Sequence, residues 1–176
     1  ELAANEKIKG VILTGLPNYF SAGLDIIELF PKNETYILNF WNEFYDLLLK
    51  LLTFPKLIFT AISGYSPAGG TVIAIMTDYR IMANGNFHMG FNEVAVGLIL
   101  PHGIGMVLQY LLGNKKVEKY ALTGALLDPK ESLNSGLIDE ICELDELIST
   151  AKTRLNEWLA LPSKQQNVTK QLLRQE

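Results

Sequence analysis

A chain of 176 residues with 48% hydrophobic and 19% charged residues is long enough to bury one sizeable core, so a single domain over 1–176 is expected. A net charge of −4 without any run of like charges argues against nucleic acid or an anionic membrane as partner. The single cysteine, Cys142, excludes an intramolecular disulfide framework and favours a reducing compartment; no apolar run nears the roughly 20 residues of a membrane helix.

The first residues, ELAANEKIKG, are charged and lack the apolar stretch of a signal peptide. They read as the last turns of an amphipathic helix feeding a strand, which implies domain elements upstream of Glu1. VILTG, Val11 to Gly15, is a β-branched run closed by Gly15 and Pro17 and suits a buried strand. The loop LPNYFSAGLD follows. From Thr35 to Leu52, apolar residues recur at helical spacing, predicting a long amphipathic helix that closes near Pro55.

KLIFTAIS, Lys56 to Ser63, is a second buried strand, and it runs into GYSPAGGTVIA. TVIAIMTD has no polar face, which fits a buried helix or strand; helix is favoured because the glycine pair Gly69–Gly70 then opens it. YRIMAN is the next strand, and FHMGFNEVAVGL alternates weakly around a carboxylate, Glu93.

Three helices in series are then expected: Pro101 to Gly113, one capped by Asn114 and stopped by Gly124, and one capped by Asp128 with Pro129 inside and Gly136 at its end. Two amphipathic helices separated by Pro162 complete the chain. The whole reads as an α/β layer over about 1–124 capped by a helical region over about 125–176.

Motifs exclude more chemistry than they admit. There is no H-E-x-x-H, C-x-x-C, G-x-S-x-G, G-x-G-x-x-G or phosphate loop, so no bound metal and no nucleotide site is expected. His88 and His102 fall in different elements without ligand spacing, and Cys142 reads as a small core residue. What remains is a Gly-Gly turn, an SAG loop after a strand and one acid among apolar neighbours.

YFSAGLD, GYSPAGGTVIA, DYRIMAN and MGFNEVAVGL occur in an order and spacing that resembles the crotonase (enoyl-CoA hydratase/isomerase) superfamily over nearly the whole chain. Within it, the PAGG turn and the G-x-N-E segment most resemble the Δ3,Δ2-enoyl-CoA isomerases of the mitochondrial short-chain type. The resemblance implies the ClpP/crotonase-like fold of repeated ββα units with a C-terminal helical region and N-terminal elements missing here. It implies an acyl-CoA thioester as substrate, no cofactor, a homotrimer or dimer of trimers, and a cytoplasmic (bacterial) or mitochondrial-matrix (eukaryotic) location.

By the same resemblance, backbone N–H groups of Ala22 and Gly69 form an oxyanion hole, and Glu93 is the catalytic acid–base. Gly23, Leu24, Asp25, Ile26 and Asn92 join Ala22 and Gly69 in holding substrate or coenzyme, and of the apolar residues between Thr35 and Leu49 some are expected to line the acyl tunnel and most to be core. Family hydratases carry a second glutamate where this chain has Val72, which shifts the expectation from water addition to double-bond migration. Phe91, Val94, Val96 and Leu98 flank Glu93, surroundings expected to desolvate it and raise its pKa.

Overall fold

The computed structural model of the chain describes residues 1–174. Three successive units each supply two strands and then helix. The first has β1 (Gly10–Thr14), β2 (Asn18–Tyr19), a one-turn α1 (Ile26–Leu29) and the long α2 (Glu34–Leu52). The second has β3 (Leu57–Ile62), β4 (Gly64–Pro67) and α3 (Gly69–Ile75). The third has β5 (Tyr79–Ala83), β6 (Met89–Gly90) and α4 (His102–Leu112). Then come α5 (Asn114–Thr123), β7 (Leu126–Leu127), α6 (Pro129–Ser135), β8 (Glu140–Cys142), α7 (Leu147–Leu159) and α8 (Ser163–Leu173).

Within each unit the first strand enters one sheet and the second strand enters another. One sheet runs β1-β3-β5-β8, all parallel; the other runs β2-β4-β6-β7, with only the last pair antiparallel. Parallel neighbours need a crossover between them, which α2 and α3 provide. β3 sits inside its sheet and all six of its residues are buried, which is why LIFTAI reads as an unbroken apolar run.

Helix α7 covers one face of this sheet. Its Leu147, Ala151 and Leu155, four residues apart, pack with Ala61, Ile81, Ala83 and Phe59. Burial of each leucine contributes about 1.5–3 kcal/mol. The larger core gathers Phe44 and Leu48 of α2, Val72 and Ile75 of α3, and Ile104 and Leu108 of α4.

Several expectations meet the structure directly. α2 starts one residue before the expected Thr35, with Asn33 as its cap: the Asn33 side chain accepts from Tyr36 N at 2.9 Å. TVIAI of the TVIAIMTD stretch resolves as helix, opened by the glycine pair, and the chain turns at Met76 to Asp78. The Asp128 cap is a full capping box, with Glu131 N donating to Asp128 Oδ1 at 2.7 Å and Asp128 N to Glu131 Oε2 at 3.2 Å.

Others are corrected. The first residues form turns rather than a helix. Asn5 Oδ1 accepts from Lys7 N at 3.0 Å, and Lys56 Nζ takes the carbonyls of Leu2 and Asn5 at 2.9 and 2.8 Å, so these groups bond outside any helical ladder. Asn114 is not a cap; it is the first residue of α5, and Gly113, at φ 76°, ends α4 and starts α5 without a side-chain bond. Around Glu93 only Met89–Gly90 is strand, followed by a 3-10 turn at Val94–Val96. Two strands, β7 and β8, lie in the stretch expected to be helical, and Cys142 is half-buried on β8 with its thiol pushed up by burial. The last two residues of the helix expected after Pro162 lie outside the described residues.

Candidate active site

The β4–α3 junction is built from residues with almost no side chain because another backbone lies against it. A Cβ on Gly69 would stand 3.0 Å from Gly23 Cα and 3.3 Å from Leu24 N, and one on Gly70 would overlap the Ser21 carbonyl oxygen. The 20–24 loop and the start of α3 therefore touch main chain to main chain. Ala68, just before α3, holds φ 46° and ψ −118°, a conformation rare for a residue with a Cβ. Its N–H donates to Gly90 O at 2.8 Å, which keeps the turn in place.

Neither the Ala22 N–H nor the Gly69 N–H has a hydrogen-bond acceptor among the described residues. Both residues line a cavity of about 540 Å³. Two unpaired backbone donors from segments in direct contact, at the opening of a helix, form an arrangement suited to an oxygen that gathers negative charge.

Glu93 reaches the same cavity from the third unit. Its backbone is pinned by a turn, since its carbonyl accepts from Val96 N at 3.1 Å and Leu98 N at 2.8 Å. The segment is pinned in turn to α3 through Gly90 N, which donates to Thr71 Oγ1 at 2.8 Å. Because Gly90 holds Ala68 with its carbonyl and Thr71 with its N–H, the carboxylate segment and the Gly69 amide are parts of one hydrogen-bonded frame.

Glu93 is 8% exposed. Burial pushes its carboxyl above the ordinary 4.5, opposed in part by a hydrogen bond from its own backbone. Its Oε2 and the Asn92 Oδ1 are buried without a partner among the described residues. Two orphan acceptors on consecutive residues that both line the cavity call for a donor from a ligand.

Of the residues singled out in the sequence, Ala22, Leu24, Ile26, Gly69, Asn92 and Glu93 converge on this cavity. Gly23 and Asp25 do not line it. Gly23, at φ 88°, makes the contact with Gly69, and Asp25 caps α1 by accepting from Glu28 N at 2.9 Å. Val96 and Leu98 line the cavity beside Glu93, whereas Val94 is exposed and does not line it, and Phe91 is in the core. Val72 is 2% exposed and forms part of the cavity wall.

The opposite wall comes from α2, through Trp41, Phe44 and Tyr45, and from Ile104 of α4. The helical periodicity of α2 marks these residues as one face but not as a cavity face, since a core and a pocket carry the same pattern. His88 and His102 lie off the cavity. No group of three or more His, Cys, Asp or Glu able to hold a metal ion occurs among the described residues. No described helix is long and apolar enough to cross a membrane.

The family model for enoyl-CoA hydratase/isomerase matches residues 1–176, and the chain belongs to that family, with its crotonase fold. Among curated relatives it is 35% identical over 176 residues to the mitochondrial enoyl-CoA delta isomerase 1 of Mus musculus, an alignment covering 99% of this chain and 61% of the mouse protein. It is 30% identical over 152 residues to a "Probable enoyl-CoA hydratase" of Mycobacterium leprae, covering 86% of this chain and 58% of that one. The crystal structure of human mitochondrial delta3-delta2-enoyl-CoA isomerase superposes with a TM-score of 0.95 at 31% identity, over 98% of this chain and 68% of that one. The chain thus spans about three fifths of the length of the curated relatives it matches.

Proposed function

We propose that the protein is a Δ3,Δ2-enoyl-CoA isomerase of fatty-acid β-oxidation, which moves the double bond of a 3-enoyl-CoA into conjugation with the thioester. The observation that carries this reading is a single buried carboxylate, Glu93, on the same cavity as two unpaired backbone N–H groups, with Val72 rather than an acid in the wall beside them. The similarity to mitochondrial delta isomerases supports it.

The thioester carbonyl accepts hydrogen bonds from the Ala22 and Gly69 N–H groups. The Glu93 carboxylate removes a proton from C2, and the electron pair spreads through the C3–C4 double bond and the carbonyl to give a dienolate. The developing oxyanion gains about 3 kcal/mol per preorganised donor. Glu93, now a carboxylic acid, returns the proton to C4, giving the 2-trans-enoyl-CoA. Proton and electron pair balance within substrate and Glu93, so the reading calls for no cofactor. A base with a raised pKa is better matched to a weakly acidic carbon.

Water addition, the other activity in the family's name, is disfavoured by the surroundings of Glu93. Asp78 is engaged with Lys170 and Arg174 at 2.8 and 2.9 Å, Glu28 is exposed, and neither lines the cavity to act as a second acid. Leu24 and Ile26 at the mouth, with Gly23 and Asp25 shaping the loop, are assigned to the coenzyme, and Asn92 to the substrate. A homotrimer or dimer of trimers, in the mitochondrial matrix of a eukaryote or the cytoplasm of a bacterium, completes the reading.

The test is to incubate the full-length protein with 3-enoyl-CoA and 2-enoyl-CoA separately and identify products by mass spectrometry and chromatography. Conjugated 2-trans-enoyl-CoA from the first is expected. A 3-hydroxyacyl-CoA as main product from the second would overturn the isomerase reading in favour of hydration.

A further inference from the structure

We propose that Trp41 sets the length of acyl chain this cavity accepts. The inference rests on the acyl-CoA reading above and begins from the uneven distribution of polarity in the cavity. Its hydrogen-bonding groups come from Ala22, Gly69, Asn92 and Glu93, and the remaining lining is almost wholly apolar. A thioester carbonyl held at Ala22 and Gly69, with C2 to C4 beside Glu93, leaves the rest of the chain against the apolar wall.

Helix α2 presents Trp41, Phe44 and Tyr45 to that wall, positions i, i+3 and i+4 of one face. They differ in depth. Phe44 is 8% exposed and belongs to the core with Val72 and Ile104, so it forms floor. Tyr45 is 41% exposed and forms rim. Trp41 is half-buried between them, edge-on to Phe44 at 5.9 Å between centroids and tilted on Tyr45 at 6.1 Å.

Trp41 is the largest side chain on the lining, and its indole packs against both the buried Phe44 and the exposed Tyr45. A growing chain meets this ring once the space beside Glu93 is filled. Truncating Trp41 opens room there while Phe44, Val72 and Ile104 keep the core intact.

The experiment measures binding of straight-chain saturated acyl-CoAs, from butanoyl to hexadecanoyl, to the full-length protein by calorimetry. Saturated chains have no double bond to move, so binding is read apart from turnover. Each methylene that finds apolar space adds about fourfold in affinity. Affinity of the unaltered protein should climb with length and then level off. In Trp41→Ala the plateau should move to longer chains by about two methylenes or more, roughly sixteenfold at the longer lengths, with butanoyl-CoA binding nearly unchanged. Trp41→Phe should move it less.

A plateau at the same length in whichever of the two variants folds, judged by circular dichroism, overturns the proposal, and so does an equal loss at every length. Isomerisation of 3-enoyl-CoA is assayed in parallel. A shifted plateau without conjugated product would sink the isomerase reading and leave Trp41 standing; conjugated product with an unmoved plateau would do the reverse.

Discussion

Glu93 illustrates a conflict between stability and chemistry at the scale of one residue. A carboxylate that is 8% exposed, with one oxygen unpartnered, is poorly solvated, and burial raises its pKa. The folded state therefore binds this proton more tightly than the unfolded state, and stability falls as pH rises from the unfolded pKa through the raised folded one. Glu93→Gln removes that cost at neutral pH. Its Tm should exceed that of the unaltered protein near pH 7, and the difference should shrink as pH falls and level off below 4.5, where Glu93 becomes neutral in both states. The same variant should lose about 10²–10⁴-fold in turnover. The kcat/KM of the unaltered enzyme should rise with pH through an ionisation above 4.5. Unchanged isomerisation by Glu93→Gln would remove it as the base.

At the scale of elements, the pieces that read well in the sequence are those whose signal is local. The unbroken LIFTAI run, the helical spacing of α2 and the Asp128 cap followed by Pro129 are each complete within a few residues. The second sheet is not legible there. β2, β6 and β7 are two residues long and exist through pairing with distant partners, such as Asn18 with Gly64 and Met89 with Leu127. No periodicity can show in two residues. The site follows the same division: Ala22, Gly69 and Glu93 are marked by motif resemblance, whereas for α2 the resemblance marks only the stretch from Thr35 to Leu49, and the placed helix picks out Trp41, Phe44 and Tyr45 as the cavity wall.

The α3 start yields a prediction at this scale. Gly70→Ala would drive a Cβ into the Ser21 carbonyl and to 2.9 Å from Ser66 Oγ, which is buried without a partner among the described residues. The 20–24 loop must then move off α3, separating the two proposed oxyanion donors. Turnover should fall about 10²–10³-fold, the cost of losing one such donor, with the secondary structure kept. Gly105→Ala is the contrast: inside α4 its Cβ meets nothing within 4 Å, and the protein should gain about 0.5–1 kcal/mol. Equal kinetics for Gly70→Ala and the unaltered enzyme would mean that the Ala22–Gly69 spacing does not matter.

At the scale of the molecule, α8 is attached by polar bonds. None of its residues is buried, yet Lys170 reaches Asp78 at 2.8 Å and the Lys56 carbonyl at 3.0 Å, and Arg174 beyond it reaches Asp78 at 2.9 Å and the Leu52 carbonyl at 2.7 Å. Asp78 also accepts from Ile58 N at 2.8 Å, so one carboxylate joins the last described helix to β3 and the end of α2. The Asp78 side chain is 6% exposed and that of Lys170 9%, which puts the pair largely out of reach of salt screening. Burial also lowers the Lys170 pKa, against the pull of Asp78, so the ammonium depends on this partner to stay charged. Asp78→Ala leaves two cations without their anion and should cost about 3–5 kcal/mol. Because α8 buries no apolar side chain of its own, that loss should first appear as its release. Hydrogen exchange of residues 163–173 should accelerate well before that of the buried β3 amides, and added potassium chloride should not reproduce the effect in the unaltered protein. Uniform acceleration across α8 and β3 would show instead that Asp78 supports the whole fold rather than the docking of one helix.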